Sequence, residues 1–487
     1  MDKPAAATAQ PFQYDDLFLF IDGEWIEAGD RDTSPVINPA TGRVIGRIPH
    51  ATIQDLDRAL GVAEASFAVW SKTPAYSRAK ILKRATDLIR ARARHIERLM
   101  TTEEGKALHE AEYEIAAAAD YFEWFAEQGK RAYGRVVPSR RSEVQQLVKR
   151  QPIGPVAAFT PWNFPGITPS RKLAAALSAG CSVIIKAAEE CPATALAIVR
   201  ALDDAGLPKG VVQMVFGVPA EISSHLIASP VIRKVTFTGS VPVGRLLASQ
   251  AAQGVKPITL ELGGHGPVLV FDDADLDEAA ALGAANRFRG TGQVCISSTR
   301  FLIQRSSYGR FVEKFVGATE ALTVGNGLEP ATRVGPLANQ RQLDKIESLV
   351  ADAVGHGARV LTGGNRIGNA GFFYAPTVLA DVPLEARIMQ EEPFGPIAIL
   401  RPFDTLQDGL AEANRLPYAL SAYAFTMNAR TAVAVGDGLE AGMIGINHFN
   451  MINAELPFGG FKDSGYGSEG GEEGIEGYLT TKFISQV

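Results

Sequence analysis

No apolar run in the 487 residues approaches the roughly 18 needed to cross a bilayer, so no transmembrane helix is expected. The stretch Met1 to Pro11 has one Lys and no hydrophobic core segment, so no secretory signal is expected either and the protein is assigned to the cytoplasm. Charge of one sign is also missing. The 48 Lys plus Arg stand against 54 Asp plus Glu, a net of −6, which excludes nucleic-acid binding driven by bulk electrostatics. Only three cysteines are present, Cys181, Cys191 and Cys295, too few and too scattered for a disulfide framework, so each is either packing or chemistry. The seven histidines show no metal-ligand spacing, and no metal is expected. What remains, 46% hydrophobic and 21% charged, is the balance of a packed globular chain, and at roughly 150 residues per domain the length suits about three units.

Between Asp55 and Gln128, apolar residues recur three and four apart among Ala, Arg, Glu and Leu, which predicts a helical wall. From Tyr133 to Gly154 a polar alternation through Val144, Gln146 and Val148 predicts an exposed hairpin of the kind that docks on another subunit. After Pro155 short apolar strands alternate with helical stretches: strands at 156–160, 182–186, 211–216 and 234–238, helices at 171–178, 193–205 and 220–228. That alternation implies a parallel sheet with crossover helices. A second alternating series, with strands at 267–271, 301–303, 358–361, 397–400 and 421–426, implies a second α/β unit. The many glycines after Pro457 predict loop before a last strand at 479–484.

Several strand ends carry polar residues where open parallel sheets bind ligands. The segment Phe237-Thr-Gly-Ser-Val-Pro-Val-Gly244 closes a strand and opens a helix, whose first N–H groups attract phosphate; a plain Ser240 N-cap is the alternative. Lys186 ends another buried strand, with Glu189 just beyond, and this pair either holds ribose hydroxyls or is a surface ion pair. Cys181 reads as a small buried hydrophobe, and the neighbouring Glu189 and Glu190 discourage a thiolate at Cys191. Cys295 differs. No Asp or Glu occurs between Glu278 and Glu313 while Arg287, Arg289 and Arg300 lie nearby in sequence, so the local charge is expected to favour a thiolate there. Glu261 sits at an otherwise apolar strand end, as a general base or as a hydrogen-bond acceptor for the following glycine turn. Asn163, in Pro161-Trp-Asn-Phe-Pro165, offers an amide in a Pro-bounded turn, a place where Asn is commonly structural.

Together with Glu391-Glu-Pro-Phe-Gly-Pro396 and Pro457-Phe-Gly-Gly-Phe-Lys-Asp-Ser-Gly465, the segments Pro161–Pro165, Phe237–Ser240, Glu261–Gly264 and Gly292–Cys295 resemble the aldehyde dehydrogenase superfamily over nearly the whole chain. The resemblance implies an α/β fold of two parallel-sheet, Rossmann-like domains plus a small β oligomerisation ribbon. It implies an NAD-binding domain at 1–133 and 154–262, a catalytic domain at 263–462, and a ribbon at 134–153 and 474–487 that joins subunits into a homodimer or homotetramer. Cys295 would attack the aldehyde, Asn163 and the Cys295 N–H would hold the oxyanion, and Glu261 would activate water to hydrolyse the thioester. Lys186 is counted with these catalytic residues as well as with the cofactor set, which comprises Thr160, Pro161, Trp162, Lys186, Glu189, Gly239, Ser240, Gly244, Leu262, Glu392 and Phe394. A carboxylate at Glu189 repels a 2′-phosphate, favouring NAD over NADP, although Ala187 replaces the Pro usual after that Lys, which leaves room for NADP.

Arg171 and Arg289 resemble the pair that binds the far carboxylate in succinate semialdehyde dehydrogenases, and other stretches resemble α-ketoglutarate semialdehyde dehydrogenases. The alternative for Arg171 is a solvated first-turn charge, and for Arg289 an ion pair with a partner distant in sequence. Phe164, Asn453 and Phe458 complete the expected substrate set. The loop Asn447 to Asn453 departs from both groups, and its Phe449 and Met451 can instead shape a wider, apolar mouth for neutral aldehydes. Two other readings stay open: an acylating enzyme that passes the thioester to coenzyme A, and a catalytically silent nucleotide-binding protein.

Overall fold

The computed structural model describes residues 12–487. Two α/β sheets organise it, as the two alternating series predict. The first has eight strands in the order Glu24–Ile26, Leu19–Ile21, Val212–Val215, Val183–Lys186, Val156–Phe159, Lys234–Thr238, Ile258–Glu261 and Gly465–Tyr466. Its five central strands run parallel, because helices such as Ile167–Ala179, Pro192–Asp204 and Val241–Gln253 carry the chain back between them. All four residues of Val156–Phe159, Val183–Lys186 and Val212–Val215 are buried, as expected of strands covered on both faces. The second sheet has seven strands in the order Arg359–Thr362, Thr377–Ala380, Ile397–Phe403, Ser298–Gln304, Gly266–Val270, Ser421–Phe425 and Met443–Ile446, parallel except at the first edge.

The helical wall consists of Ile53–Trp70, Ala75–Ala91, Ala93–Glu104 and Leu108–Gln128. Thr52 and Asp55 start it with a capping box, and the Arg31 guanidinium bound to Asp55 holds that carboxyl at about 2. The projecting ribbon is three-stranded: Gln145–Pro152 pairs with Arg135–Val137 and, along eight residues, with Leu479–Gln486.

Two regions differ from the sequence reading. Residues 19–49 supply two edge strands of the first sheet and a separate hairpin, Thr33–Asn38 with Arg43–Pro49, which the composition does not announce. The glycine-rich tail is not all loop: Gly465–Tyr466 pairs antiparallel with Leu260 and Glu261, so the chain returns to the first sheet after completing the second. Glycine permits this, since Gly465 has φ +116° and a Cβ there would lie 1.9 Å from the Leu260 carbonyl oxygen.

Candidate active site

The carboxyl ends of the first sheet's strands, and the loops that enter Ser298–Gln304 and Ile397–Phe403 at the amino ends of the second sheet's strands, face one cavity of about 440 Å³. Glu261 reaches it as the last residue of its strand, and Cys295 from the loop joining Leu276–Phe288 to Ser298–Gln304. Two glycines let these segments meet. A Cβ on Gly264 would lie 2.6 Å from the Cys295 carbonyl oxygen, and one on Gly263 would lie 2.4 Å from Glu392 Oε2. The run Glu261-Leu-Gly-Gly264 is therefore a carboxylate followed by two close-approach positions.

Of the residues singled out in the sequence, Pro161, Trp162, Asn163, Phe164, Arg171, Gly239, Ser240, Glu261, Leu262, Cys295, Glu392, Phe394 and Phe458 line this cavity. Thr160, Lys186, Glu189, Gly244, Arg289 and Asn453 do not. Lys186 is buried at the end of its strand, where Nζ donates to Glu189 Oε2 at 2.5 Å, while Glu189 Oε1 accepts from the Gly217 N–H at 3.0 Å. It stands apart from the lining around Cys295. Gly244 packs on Leu262, whose Cδ2 would be 2.5 Å from a Cβ there. Asn453 is exposed, and Phe449 and Met451 are buried instead of lining the mouth, Phe449 lying 4.7 Å and 5.3 Å from the Tyr423 and Phe425 rings. Only Ile452 of that loop lines the cavity.

Charge around Cys295 also departs from its sequence neighbourhood. Arg287 donates to the carbonyls of Ile397, Pro393, Gly395 and Gly292 and to the Ser297 hydroxyl, while Arg300 donates to the carbonyls of His265, Glu412 and Ala413. Neither faces the sulfur. Burial, then Glu392, pushes the Cys295 thiol up to about 12, with Arg171 pulling the other way. Without a bound partner the residue is a thiol, not the thiolate that the run of arginines suggests.

Glu261 is 2% exposed, and neither carboxylate oxygen has a hydrogen-bond partner. It is not an acceptor for the glycine turn. Burial first, then the nearby Glu469, pushes its pKa well above the ordinary carboxylate value, against Arg171 and Lys172. Behind it lies a buried set that the sequence did not disclose: Lys172 Nζ donates to Glu469 Oε1 and, at 3.0 Å, to Thr236 Oγ1, and Arg171 Nη1 is 3.7 Å from Glu469 Oε2. Arg171 is buried between the rings of Phe458 and Tyr121, at 4.1 and 4.8 Å, so it is no solvated helix-end charge. Lys172 adjoins Arg171 in sequence, but Glu469 stands in a glycine run where no pattern marks it.

Asn163 is 6% exposed, and its Nδ2 donates to the Gln293 carbonyl at 2.9 Å, which leaves the second amide hydrogen uncommitted. Ser240 begins the helix Val241–Gln253 without a side-chain capping bond, and the buried Thr160 and Thr238 hydroxyls at neighbouring strand ends have no partner. Unpartnered hydroxyls beside a helix start suit a phosphate-containing dinucleotide. Glu392 accepts from the Gly264 N–H at 3.0 Å and, mainly through burial, is pushed up to about 7; Phe394 meets Trp162 edge to face at 5.6 Å.

A sequence profile of the aldehyde dehydrogenase family matches residues 25–484. The chain belongs to that family. It is 48% identical over 469 residues to the 4-(hydroxymethyl)benzenesulfonate dehydrogenase TsaD1 of Comamonas testosteroni, covering 96% of this chain and 98% of that one. It is 41% identical to the succinate semialdehyde dehydrogenase of Acinetobacter baylyi, over 95% of each chain. Among solved structures, an NADP dependent enzyme of Escherichia coli superposes with a TM-score of 0.95 at 40% identity, covering 97% of this chain and 98% of that one. The enzyme is thus an oxidoreductase acting on aldehydes with a nicotinamide dinucleotide, of the α/β two-sheet fold its sequence predicts. Among the described residues, no helix is long and apolar enough to cross a membrane.

Proposed function

We propose that the enzyme oxidises an aldehyde carrying a distal anion, in the first place a dicarboxylic semialdehyde such as succinate semialdehyde, to the corresponding acid. In this reading Cys295 gives its proton to water as the site fills, and its sulfur attacks the aldehyde carbon. The free Asn163 amide hydrogen and the Cys295 N–H then stabilise the oxyanion. A nicotinamide dinucleotide held there would supply the hydride acceptor, and the carbon bonded to Cys295, having lost hydride, is then a thioester. Glu261, once ionised, takes a proton from water, the water oxygen joins the acyl carbon, the C–S bond breaks and the proton passes to the Cys295 sulfur, while Glu469 and Lys172 behind it bias how readily Glu261 ionises. A base at this place favours hydrolysis over transfer to coenzyme A, and the joint presence of Cys295, Glu261 and Asn163 around one cavity favours turnover over silent nucleotide binding.

For the cofactor, Ser240, Thr160 and the Gly239 turn would meet the phosphates, Lys186 with Glu189 the adenosine ribose, and Glu392 with Phe394 the nicotinamide end. Glu189 supports NAD over NADP, because a carboxylate paired with Lys186 in the place read as the ribose site would repel a 2′-phosphate. The three-stranded ribbon, with exposed Val136 and Phe483, is read as the surface that meets a second copy of the chain.

The observation that carries the anionic substrate is Arg289. Its Nε and Nη2 are closed off from water with no hydrogen-bond partner, at the start of the loop that carries Cys295. Arg289 is half-buried and outside the lining around Cys295, with Glu110 near enough to feel its charge, so what an anion would complete is these two nitrogens. Arg171 is the second cation, though Glu469 already engages it. A second form of this reading, an aryl aldehyde bearing sulfonate or carboxylate, is favoured by the aromatic walls Phe164 and Phe458 and by the benzenesulfonate relative. The test is NADH and NADPH formation with succinate, glutarate and α-ketoglutarate semialdehydes, 4-sulfobenzaldehyde, and neutral aldehydes of matched size. The expected outcome is kcat/KM favouring the anions by more than tenfold, above ~1.4 kcal/mol of transition-state discrimination, with Arg289→Leu erasing the preference. Equal or better rates with neutral aldehydes would overturn it.

A further inference from the structure

Lys106 is only 3% exposed, yet none of the chemistry above uses it. It follows Gly105, whose φ of +99° ends the helix Ala93–Glu104 and whose missing side chain makes room for Pro39 and Pro336. The ammonium is aimed inward. Nζ donates to Glu114 Oε2 at 2.5 Å and to the Asn163 carbonyl at 2.7 Å, and it lies 4.4 Å from the centre of the Phe164 ring. Glu114, on the helix Leu108–Gln128 and 0% exposed, uses its other oxygen to accept from the N–H groups of Gly166 and Ile167, at 2.8 and 3.2 Å. Those N–H groups open the helix Ile167–Ala179, whose own N-cap, Gly166, has no side chain to cap it. One buried ion pair from the helical wall therefore grips both ends of the segment 163–167.

A buried ion pair adds little stability over an apolar pair of the same shape, so stability alone does not explain this one; fixing a single geometry does. The peptide plane after Asn163 is set by its carbonyl, and the carbonyl is held by Lys106. The side-chain amide is then held from the opposite side by the Gln293 carbonyl. With both held, the direction of the free amide hydrogen is determined. An oxyanion donor must sit within a few tenths of an ångström of its working position, and displacement by about 1 Å can lower the rate on the order of a hundredfold.

We propose that Lys106 and Glu114 are positioning residues that fix the Asn163 amide and the Phe164 ring against the aldehyde, an inference that rests on the oxyanion role given to Asn163. Neither touches substrate or cofactor; both act through the backbone of 163–167.

The test is a double-variant cycle on kcat/KM with the preferred aldehyde, using Asn163→Ala, Lys106→Met, Lys106→Arg and the two Lys106 changes combined with Asn163→Ala. Asn163→Ala is expected to lower kcat/KM about a hundredfold or more. Lys106→Met is expected to lower kcat about 10- to 100-fold while the aldehyde KM and the NAD dissociation constant stay within threefold, a split that general loosening would not give. In the Asn163→Ala background either Lys106 change should cost less than a further twofold. Lys106→Arg keeps a cation opposite Glu114, so it should fold and bind NAD even if Lys106→Met does not. Because its bulkier group cannot sit on the Asn163 carbonyl in the same way, it should recover only part of kcat. Losses that multiply with Asn163→Ala, or full activity in either Lys106 variant, overturn the positioning role while leaving Asn163 in place. If Asn163→Ala is itself fully active, the oxyanion role falls and this inference with it.

Discussion

The loop that carries Cys295 and the pocket behind Glu261 border one cavity, yet, Arg289 apart, their polar atoms are treated in opposite ways. Around the loop, Arg287 is entirely buried and donates to four carbonyls and a hydroxyl, Gln293 Oε1 accepts from the Ala338 N–H at 3.0 Å, and Tyr423 Oη donates to the Ile296 carbonyl at 2.6 Å. In the pocket, both oxygens of Glu261, one of Glu469, Arg171 Nε and the Thr238 hydroxyl have no partner at all. Buried polar groups left unpaired are unfavourable, so a fold tolerates them where a ligand, water or moving proton will complete them. Saturation marks scaffold here, and its absence marks chemistry.

The comparison breaks most visibly at Arg287. Burial has pushed even this guanidinium down to about 9, and its removal strands several buried acceptors at once. With roughly 1–3 kcal/mol for each unsatisfied group, Arg287→Leu should destabilise the enzyme by about 4 kcal/mol or more, read as a lower urea midpoint together with lost activity. A variant of full stability would mean that the carbonyls of 393–397 find other donors. Glu261→Gln should do the reverse: the urea midpoint unchanged, because a neutral amide replaces a carboxyl that burial already favours as neutral, and thioester hydrolysis slowed by about 10²–10⁴-fold with acyl-enzyme accumulating.

The same contrast predicts a pH effect with a definite sign. Only ionised Glu261 can take a proton from water, so hydrolysis rises as pH climbs through its pKa, and burial with Glu469 places that limb well above 4.5. Glu469→Gln removes the like charge and should move the limb of the kcat–pH profile to lower pH. Lys172→Met removes an opposing cation and should move it up. A limb that stays put in both variants would assign it to another group. In the cofactor-free enzyme the Cys295 thiol, pushed up to about 12, should be alkylated by iodoacetamide at a rate that keeps rising tenfold per pH unit from 7 to 10. A plateau near pH 7 would restore the thiolate that the sequence suggests.

That last case shows what was legible in the sequence. The alternation of strands and helices gave both sheets, and the strand ends named Glu261, Asn163 and the Phe237–Ser240 turn, because main-chain periodicity and turn chemistry are local. Charge is not local. Arg287 and Arg300 lie close to Cys295 along the chain but spend their donors on carbonyls of the strands and loops packed behind it. Glu469 comes to Glu261 only because the tail returns to pair with Ile258–Glu261, a long-range event written in Gly465 and not in any charge pattern. Lys106 and Glu114 were hidden for a similar reason, being ordinary residues of a helical wall until the fold sets them under Asn163.

The smallest expected effect is the most discriminating. Thr160 and Thr238 end adjacent parallel strands, and both hydroxyls are buried without a partner. If they were structural, Thr→Val would remove a hydrogen bond worth about 1 kcal/mol and lower stability accordingly. In the present reading there is no such bond to lose in the free enzyme, and a methyl in place of an unpaired hydroxyl should leave stability unchanged or raise it by up to about 1 kcal/mol. The loss should appear instead on binding. Each change should weaken NAD by a few-fold, less than the ~1.4 kcal/mol of a tenfold step, measured by fluorescence titration beside thermal unfolding of the same samples. Lower stability with unchanged NAD affinity would return these hydroxyls to the scaffold and place the edge of the chemistry at Ser240.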